Sequence, residues 1–199
     1  MPLHRRWRAY RLLLAILFAV LVLDQASKAW IVTHLPLGTY GQPAGAIPVI
    51  RGFFYLVHVG NTGAAWSMLT GRSVLLALLA AGTLIAIFIW RHALGLHDRM
   101  AQICFGLLCG GIIGNLTDRL LYHHVVDFLD FHLPGYRYPA FNVADSGITV
   151  GVTIYLIYSF RDWWPARGAA APPTTPVATA SAETASKTAS GTTTQSAKG

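Results

Sequence analysis

The chain has 199 residues, of which 54% are hydrophobic and only 12% are charged, and its formal net charge is +7. Soluble domains contain about 25% charged residues, so this composition argues against a soluble domain and indicates a membrane protein. A mean hydropathy of +0.48 supports the same interpretation. The positive charge does not indicate a nucleic-acid-binding protein, because the basic residues flank apolar runs instead of lining one face.

The N-terminal region predicts the first membrane-spanning helix. A basic segment followed by an apolar run resembles a secretory signal, but Asp24 and Lys28 stand where a cleavage site needs small neutral residues. We therefore predict an uncleaved transmembrane helix over residues 10–33. Asp24 precedes Lys28 by four residues, the favourable order for an ion pair on one helix face. The alternative is that this pair only neutralises itself at the membrane edge.

Residues 34–72 are rich in glycine and proline and predict a small β-sheet. Residues 49–59, VIRGFFYLVHV, are mostly β-branched and aromatic, which is typical of a strand, and the turn sequence GNTG follows. We expect this sheet on the extracytoplasmic membrane surface, between the first and second helices. An interfacial segment with Trp66 near the head groups should follow. Asn61 lies in the turn, and a role as a turn residue alone is the simpler interpretation.

Further apolar runs complete a mainly α membrane protein with four predicted transmembrane helices: residues 73–90, 100–121 and 143–160. Glycines recur every four residues in the third span: Gly106, Gly110 and Gly114. Such spacing leaves one face of bare backbone against which a neighbouring helix can pack closely. Cys104 and Cys109 lie five residues apart, on different helix faces, and are interpreted as buried thiols.

The distribution of charge predicts the orientation in the membrane. Arginines concentrate in the N-terminal segment, in residues 91–99 and after residue 160, so the positive-inside rule places both termini in the cytoplasm. Five of the eight acidic residues then fall on the extracytoplasmic side: Asp24, Asp118, Asp127, Asp130 and Asp145. Carboxylates near hydrocarbon are costly and usually functional, which predicts a site there. The alternative, strongest for Asp130, is a solvated surface loop.

The C-terminal residues have a different composition from the rest. From Gly168 onward the chain consists mainly of Ala, Thr, Ser and Pro and cannot bury enough apolar surface to fold. We therefore predict a membrane-embedded domain over residues 1–167 and a disordered cytoplasmic tail over residues 168–199.

Two aspartates flank the predicted loop between the third and fourth spans. If Asp127 and Asp145 come within a few ångströms, they cannot both ionise easily, and one acts as a base while the other acts as an acid. Such a pair can activate water and protonate a leaving amine. Asn142 precedes Asp145 by three residues and resembles a helix N-cap, so the helix dipole favours the carboxylate of Asp145.

Several segments together resemble the motif blocks of one known family, lipoprotein signal peptidase, also called signal peptidase II. They are Asp24-Gln25-x-x-Lys28, Asn61-Thr62-Gly63-Ala64-Ala65, Gly114-Asn115-Leu116-x-Asp118-Arg119, Val125-Val126-Asp127-Phe128 and Phe141-Asn142-x-Ala144-Asp145-Ser146. One block alone is a weak signal, whereas five in this order are specific. The resemblance covers about residues 10–162 and matches the layout of four spans. Trp66 stands where the family more usually has phenylalanine, and Asp130 is an extra acid with an open role.

The resemblance implies a bacterial inner-membrane aspartic endopeptidase with an extracytoplasmic active site. Its substrates would be diacylglyceryl-modified prolipoproteins, cut just before the lipidated cysteine. Asp127 and Asp145 would be the catalytic pair. Polar residues that would support them or bind substrate are Asp24, Lys28, Asn61, Asn115, Asp118, Arg119 and Asn142. Besides substrate and membrane lipids we expect no partner and no cofactor, and we expect a monomer.

A metal site, a transporter or channel, and a purely structural protein are the alternatives to this function. His123, His124 and His132 lie near the acids, but they lack zinc-ligand spacing, so we expect no metal site. A transporter or channel subunit would also carry acids and a lysine in its spans. A transporter or channel that passes ions or protons along such groups would place them at several depths of the membrane. In this sequence the charged groups lie near one edge of the predicted spans. A purely structural membrane protein leaves the acids unexplained.

Overall fold

The computed structural model describes residues 9–40, 45–64 and 68–168. In chain order the helices are α1 (Arg11–His34), α2 (Ser73–Ile89), α3 (Arg99–Tyr122) and α4 (Val143–Gly168). The strands are β1 (Ile47–Ile50), β2 (Phe54–Asn61), β3 (Val125–Leu133) and β4 (Tyr136–Arg137). Trp66 lies outside the described residues, and so does the predicted tail apart from Gly168, which ends α4.

Within the described part of the chain, three helices are long and apolar enough to cross a membrane: Arg11–His34, Arg99–Tyr122 and Val143–Arg161. They confirm the first, third and fourth predicted spans as membrane-length apolar helices. The second is a shorter apolar helix of 17 residues. At 1.5 Å per residue it is about 26 Å long, slightly less than the hydrocarbon thickness of about 30 Å. A crossing by α2 therefore stays a prediction.

Helix α3 is the centre of the bundle because it packs against both α1 and α4. Its glycines allow this approach: a Cβ atom added to Gly110 would lie 2.8 Å from the carbonyl oxygen of Leu17 in α1. On the other side of α3, a Cβ on Gly111 would collide with the carbonyl of Ala144 in α4. The predicted close packing on bare backbone is thus present, and it involves two neighbouring helices. In contrast, α2 packs mainly on α3 and has no buried residue.

The sheet differs from the one predicted. It has four antiparallel strands in the order β1-β2-β3-β4, and β3 and β4 come from the segment between α3 and α4. Strands are present between the first and second helices, as predicted, but the prediction of a loop between the third and fourth spans is wrong because β3 and β4 lie there. Pro134 and Gly135 do form a turn, with Gly135 at φ 73°, but the turn joins two strands. The single strand predicted over residues 49–59 is likewise divided, at a turn around Gly52.

The sheet covers one end of the helices. Ile31 and Leu35, at the end of α1, pack with Val126 and Phe128 of β3 in a buried apolar cluster. Helix α3 ends and α4 begins at the same end, because β3 and β4 connect them. This arrangement brings residues from α1, α3, α4 and the sheet to one place.

Candidate active site

The structure brings Asp127 and Asp145 into one cavity. The cavity has a volume of about 640 Å³ and is lined by β2, α3, β3, α4 and the loops next to them. Its polar lining includes Asn61, Asn115, Arg119, Asp127, Asp145 and Ser146. Both aspartates are therefore at the same opening although they come from a strand and a helix. Strand β3 places Asp127, and the first turn of α4 places Asp145.

Asn142 forms the N-terminal cap of α4. Its side-chain oxygen accepts a hydrogen bond of 2.9 Å from the backbone N–H of Asp145. In return, the Asp145 carboxylate accepts one of 3.3 Å from the backbone N–H of Asn142. This reciprocal pair is a capping box, and it confirms the N-cap predicted from the spacing. It holds Asp145 at the helix N-terminus, where the helix dipole favours negative charge.

Three asparagine side chains hold the two carboxylates. Asp127 accepts hydrogen bonds from Asn142 at 2.7 Å and from Asn61 at 2.9 Å, one on each oxygen. Asp145 accepts one from Asn115 at 2.7 Å. The amide of Asn142 also donates to the side-chain oxygen of Asn115 at 3.2 Å, which links the two carboxylates through a continuous network. The carboxylates are thus fixed by amides that cannot themselves exchange a proton at neutral pH.

A buried ion triad lies beneath this network. Lys28 Nζ is 2.8 Å from a carboxylate oxygen of Asp24 and 2.8 Å from one of Asp118. It also donates to the side-chain oxygen of Asn115 at 3.0 Å. The three charged side chains are at most 3% exposed. The Asp24–Lys28 pair predicted from the sequence is present, and Asp118 is a second partner that the spacing did not reveal.

The carboxylates of the triad also hold backbone close to the catalytic candidates. Asp24 accepts a hydrogen bond of 2.9 Å from the N–H of Ala144, and Asp118 accepts one of 3.1 Å from the N–H of Val126. Each of those residues immediately precedes one of the two cavity aspartates. Gln25 stands in the first motif block but was assigned no role from the sequence, although its amide donates to Asp24 at 3.1 Å and to Asp118 at 3.0 Å. Its position beside Asp24 was the available signal.

Arg119 connects α3 to the turn that follows β2. Its guanidinium donates to the carbonyl of Gly63 at 3.0 Å and to the carbonyl of Asn115 at 3.3 Å. The Nε atom is buried and has no hydrogen-bond partner among the residues that the structure describes. Asn61 accepts from the N–H of Gly63 at 2.9 Å, so Arg119 and Asn61 fix the same turn. Asn61 is therefore more than a turn residue, because its other side-chain atom binds Asp127.

The environment of Asp127 changes its titration. Burial raises the pKa of its carboxyl group to about 7, and the nearby charge of Asp145 adds to this effect. Hydrogen bonds from Asn61 and Asn142 act in the opposite direction but do not cancel it. A carboxyl group with a pKa near neutrality can both hold and release a proton at physiological pH.

Asp130 lies close to Asp127 in sequence but has a different environment. It is 1% exposed and binds Arg137 through both carboxylate oxygens, and His132 Nε2 lies 3.0 Å away. Burial opposes its charge, but the hydrogen bonds from Arg137 and His132 outweigh burial and hold the pKa of Asp130 below its usual range. The solvated-loop alternative for Asp130 is therefore wrong.

The two cysteines and the possible metal ligands were the other candidates for chemistry. Cys104 and Cys109 are buried free thiols, as predicted. Across residues 9–40, 45–64 and 68–168, no three His, Cys, Asp or Glu side chains form a group that could hold a metal ion. The polar side chains described around the cavity are carboxylates, amides, hydroxyls and a guanidinium, which suit proton transfer and the binding of a polar backbone.

Fold and site together define a helical membrane protein with paired aspartates in a cavity at one end of its long helices. The family model described as signal peptidase (SPase) II matches residues 16–161, and the chain belongs to that family. Among its relatives is a lipoprotein signal peptidase of Burkholderia multivorans, 42% identical over 151 residues, which cover 73% of this chain and 84% of the relative. Another, from Nostoc punctiforme, is 42% identical over 147 residues, with 72% and 86% covered.

Solved structures support the fold. Two bacterial membrane enzyme structures determined by the in meso method, at 2.3 Å and 1.9 Å resolution, are each 32% identical to this chain. Their TM-scores are 0.68 and 0.65; each match covers 75% of this chain and 88% or 93% of the solved chain. The protein is therefore a membrane-embedded bacterial enzyme of the signal peptidase II family.

Proposed function

We propose that this protein is an aspartic endopeptidase of the bacterial inner membrane that removes the signal peptide from diacylglyceryl-modified prolipoproteins. Its relatives are lipoprotein signal peptidases by name. The observation that carries the mechanism is the placement of Asp127 and Asp145 in one cavity, each held by side-chain amides. Cleavage would fall just before the lipidated cysteine. The enzyme would act as a monomer without a cofactor or nucleic acid.

The first step adds water to the scissile amide. Asp127 holds a proton near neutral pH because its pKa is about 7. Asp145 is a carboxylate at a helix N-terminus and acts as the base. It takes a proton from water while the water oxygen attacks the carbonyl carbon. The proton of Asp127 passes to the carbonyl oxygen, and a neutral tetrahedral diol results.

The second step breaks the carbon–nitrogen bond. Asp145, now protonated, gives its proton to the leaving amide nitrogen, and Asp127 takes one from a hydroxyl group of the diol. The products are a carboxylic acid and an amine, and both aspartates return to their initial protonation states. Three asparagines orient this pair by direct hydrogen bonds: Asn61, Asn115 and Asn142. Asp24 and Asp118 hold the backbone beside it, and Lys28 pairs with both of these carboxylates.

The direct test is cleavage by the purified, detergent-solubilised protein. We expect it to cleave a diacylglyceryl-modified prolipoprotein and to cleave the same precursor poorly when its cysteine is unmodified. An aspartic-type inhibitor should block the reaction. Equal cleavage of modified and unmodified precursors would contradict the proposed substrate, and insensitivity to the inhibitor would contradict the mechanism.

The proposed topology has four spans, with α2 crossing the membrane, and it places both termini in the cytoplasm. Helix α1 ends beside β3, and α4 begins at the cavity that β3 also lines, so the start of α1 and the end of α4 share the opposite side. A reporter fused after Arg167 should therefore be active only if it is a type that functions in the cytoplasm. If a reporter that works only after export is active at this position, the proposed orientation is wrong and the C-terminus lies outside the cytoplasm.

The raised pKa of Asp127 predicts a pH dependence of turnover. As the pH rises through about 7, Asp127 loses the proton that the first step requires, so kcat should fall by about tenfold for each further pH unit. The measurement is kcat at saturating substrate between about pH 5 and pH 9, with unfolding checked at each pH. A kcat that stays constant to the alkaline limit would show that Asp127 is not the proton donor.

Arg119→Lys tests whether the guanidinium positions the cavity wall. Lysine keeps the charge but loses the planar group that donates to the carbonyls of Gly63 and Asn115. We expect kcat/KM to fall about tenfold, equivalent to about 1.4 kcal/mol of transition-state stabilisation. Arg72→Lys, at the N-cap of α2 and outside this network, is the matched control and should be unaffected. Full activity of Arg119→Lys would show that Arg119 supplies only a positive charge at the membrane edge.

A further inference from the structure

The opening of the cavity is bordered by residues from two separate segments. Tyr138 and Phe141 come from the segment after β4, and Tyr40 comes from the connection between α1 and β1. The side chains of Tyr40 and Tyr138 are 40% and 44% exposed. These two tyrosines line the cavity and are also partly exposed, which places them at its opening.

Arg137 connects the two segments. Its guanidinium carbon lies 4.0 Å from the centre of the Tyr40 ring, the geometry of a cation–π contact. Arg137 is also the residue immediately before Tyr138. The Arg137 side chain therefore links the segment that contains Tyr138 to the ring of Tyr40 on the other side of the opening.

Asp130 fixes the direction of that guanidinium. It accepts a hydrogen bond of 3.0 Å from Nε of Arg137 and a second one from the adjacent nitrogen, so the planar group is held at two points. His132 Nε2 lies 3.0 Å from the same carboxylate. Because Asp130 and Asp127 are both on β3, this link is anchored to the strand that carries one of the cavity aspartates.

We propose that Asp130, Arg137 and Tyr40 form a mouth bridge that determines how bulky a side chain the cavity accepts next to the scissile bond. The proposal rests on the function proposed above, because it assigns substrate selection to the same cavity. The bridge holds the Tyr40 ring close to the segment that contains Tyr138 and so limits the width of the opening. Its members are positioning residues, since none of them needs to touch the reacting atoms.

A kinetic experiment compares Tyr40→Leu with Tyr40→Phe. Phenylalanine keeps the aromatic face that Arg137 contacts, whereas leucine removes it. The substrates are two lipid-modified prolipoproteins that differ only in alanine or leucine before the lipidated cysteine. If the bridge narrows the opening, the unsubstituted enzyme should have a higher kcat/KM for the alanine substrate than for the leucine substrate. In Tyr40→Leu and in Arg137→Gln this preference should fall about fivefold, on the order of the loss of one partly exposed cation–π contact. The loss of preference should come from a higher kcat/KM for the leucine substrate, a gain that a merely unfolded variant would not show.

A second measurement tests the bridge without enzyme activity. Spin labels are placed on Leu37→Cys, three residues before Tyr40, and on Leu133→Cys, which pairs with the residue before Arg137. Both positions are exposed, whereas the native Cys104 and Cys109 are buried, and the labels report the distance between the two segments. The distribution should broaden in Tyr40→Leu and Arg137→Gln but not in Tyr40→Phe. An unchanged distribution, or an unchanged substrate preference in an active enzyme, overturns the proposal. If the unsubstituted protein cleaves neither substrate, the proposed function fails and substrate selection with it, while the distance distributions still decide whether the bridge exists.

Discussion

Asp127→Asn and Asp145→Asn should each lower kcat on the order of 10³-fold or more, the effect of removing one member of a catalytic unit. Asparagine keeps the size of aspartate and can accept hydrogen bonds, but it cannot take or give the proton that each carboxyl group transfers in the proposed mechanism. Because that mechanism uses the two aspartates together, the double variant should be only slightly slower than either single variant. The assay is cleavage of a diacylglyceryl-modified prolipoprotein by equal amounts of purified, folded protein.

Asp130→Asn is the matched control. It places the same substitution in the same strand at an equally buried position, but its carboxylate binds Arg137 and His132. Its kcat should stay within about threefold of the original, although substrate preference should change if the mouth bridge exists. An inactive Asp130→Asn beside an active Asp127→Asn would mean that the wrong aspartate was assigned. Normal cleavage by all three variants would exclude the aspartic mechanism and favour an ion-relay role.

The long helices could be predicted because hydropathy and length determine them almost alone. The first and third predicted spans, residues 10–33 and 100–121, differ by one residue at each end from Arg11–His34 and Arg99–Tyr122. A backbone in hydrocarbon must satisfy its own hydrogen bonds, so an apolar run of this length has few alternatives to a helix.

Strand β3 was missed for a physical reason. Its sequence, VVDFLDFHL, does not alternate cleanly between apolar and polar residues, and five of its first six residues are buried. A strand covered on both faces lacks the two-residue period by which strands are recognised. Alternation of apolar and polar residues therefore gives no signal for the strand that carries Asp127.

The parts of the site that depend on local spacing were predictable, and those that depend on the sheet were not. The Asp24–Lys28 pair and the Asn142 cap follow from separations of four and three residues along a helix. The bond from Asn61 to Asp127 requires the pairing of β2 with β3, whose register places Asn61 opposite Val125. The register of two strands cannot be predicted from sequence spacing when one of the strands is not recognised.

Lys28→Met should be the most destabilising of the substitutions considered, at about 3–5 kcal/mol. Methionine fills a similar volume, so the loss arises mainly from charge. Asp24 and Asp118, each at most 1% exposed, would remain as two buried carboxylates without their shared cation. Removing one partner from a buried ion group is more costly than replacing the whole group with neutral residues, because the remaining charge has no compensation.

The same substitution should also lower turnover, because the two carboxylates position the backbone N–H groups of Ala144 and Val126 beside the catalytic candidates. Thermal unfolding in detergent and kcat are measured together. The double variant Lys28→Met with Asp118→Asn has the same net charge as the original triad and should be less destabilised than Lys28→Met alone. A melting temperature and kcat that are unchanged in Lys28→Met would show that Asp24 and Asp118 hold the site without their shared cation. In that case the capping box of α4 and the three asparagines would be sufficient to position Asp127 and Asp145.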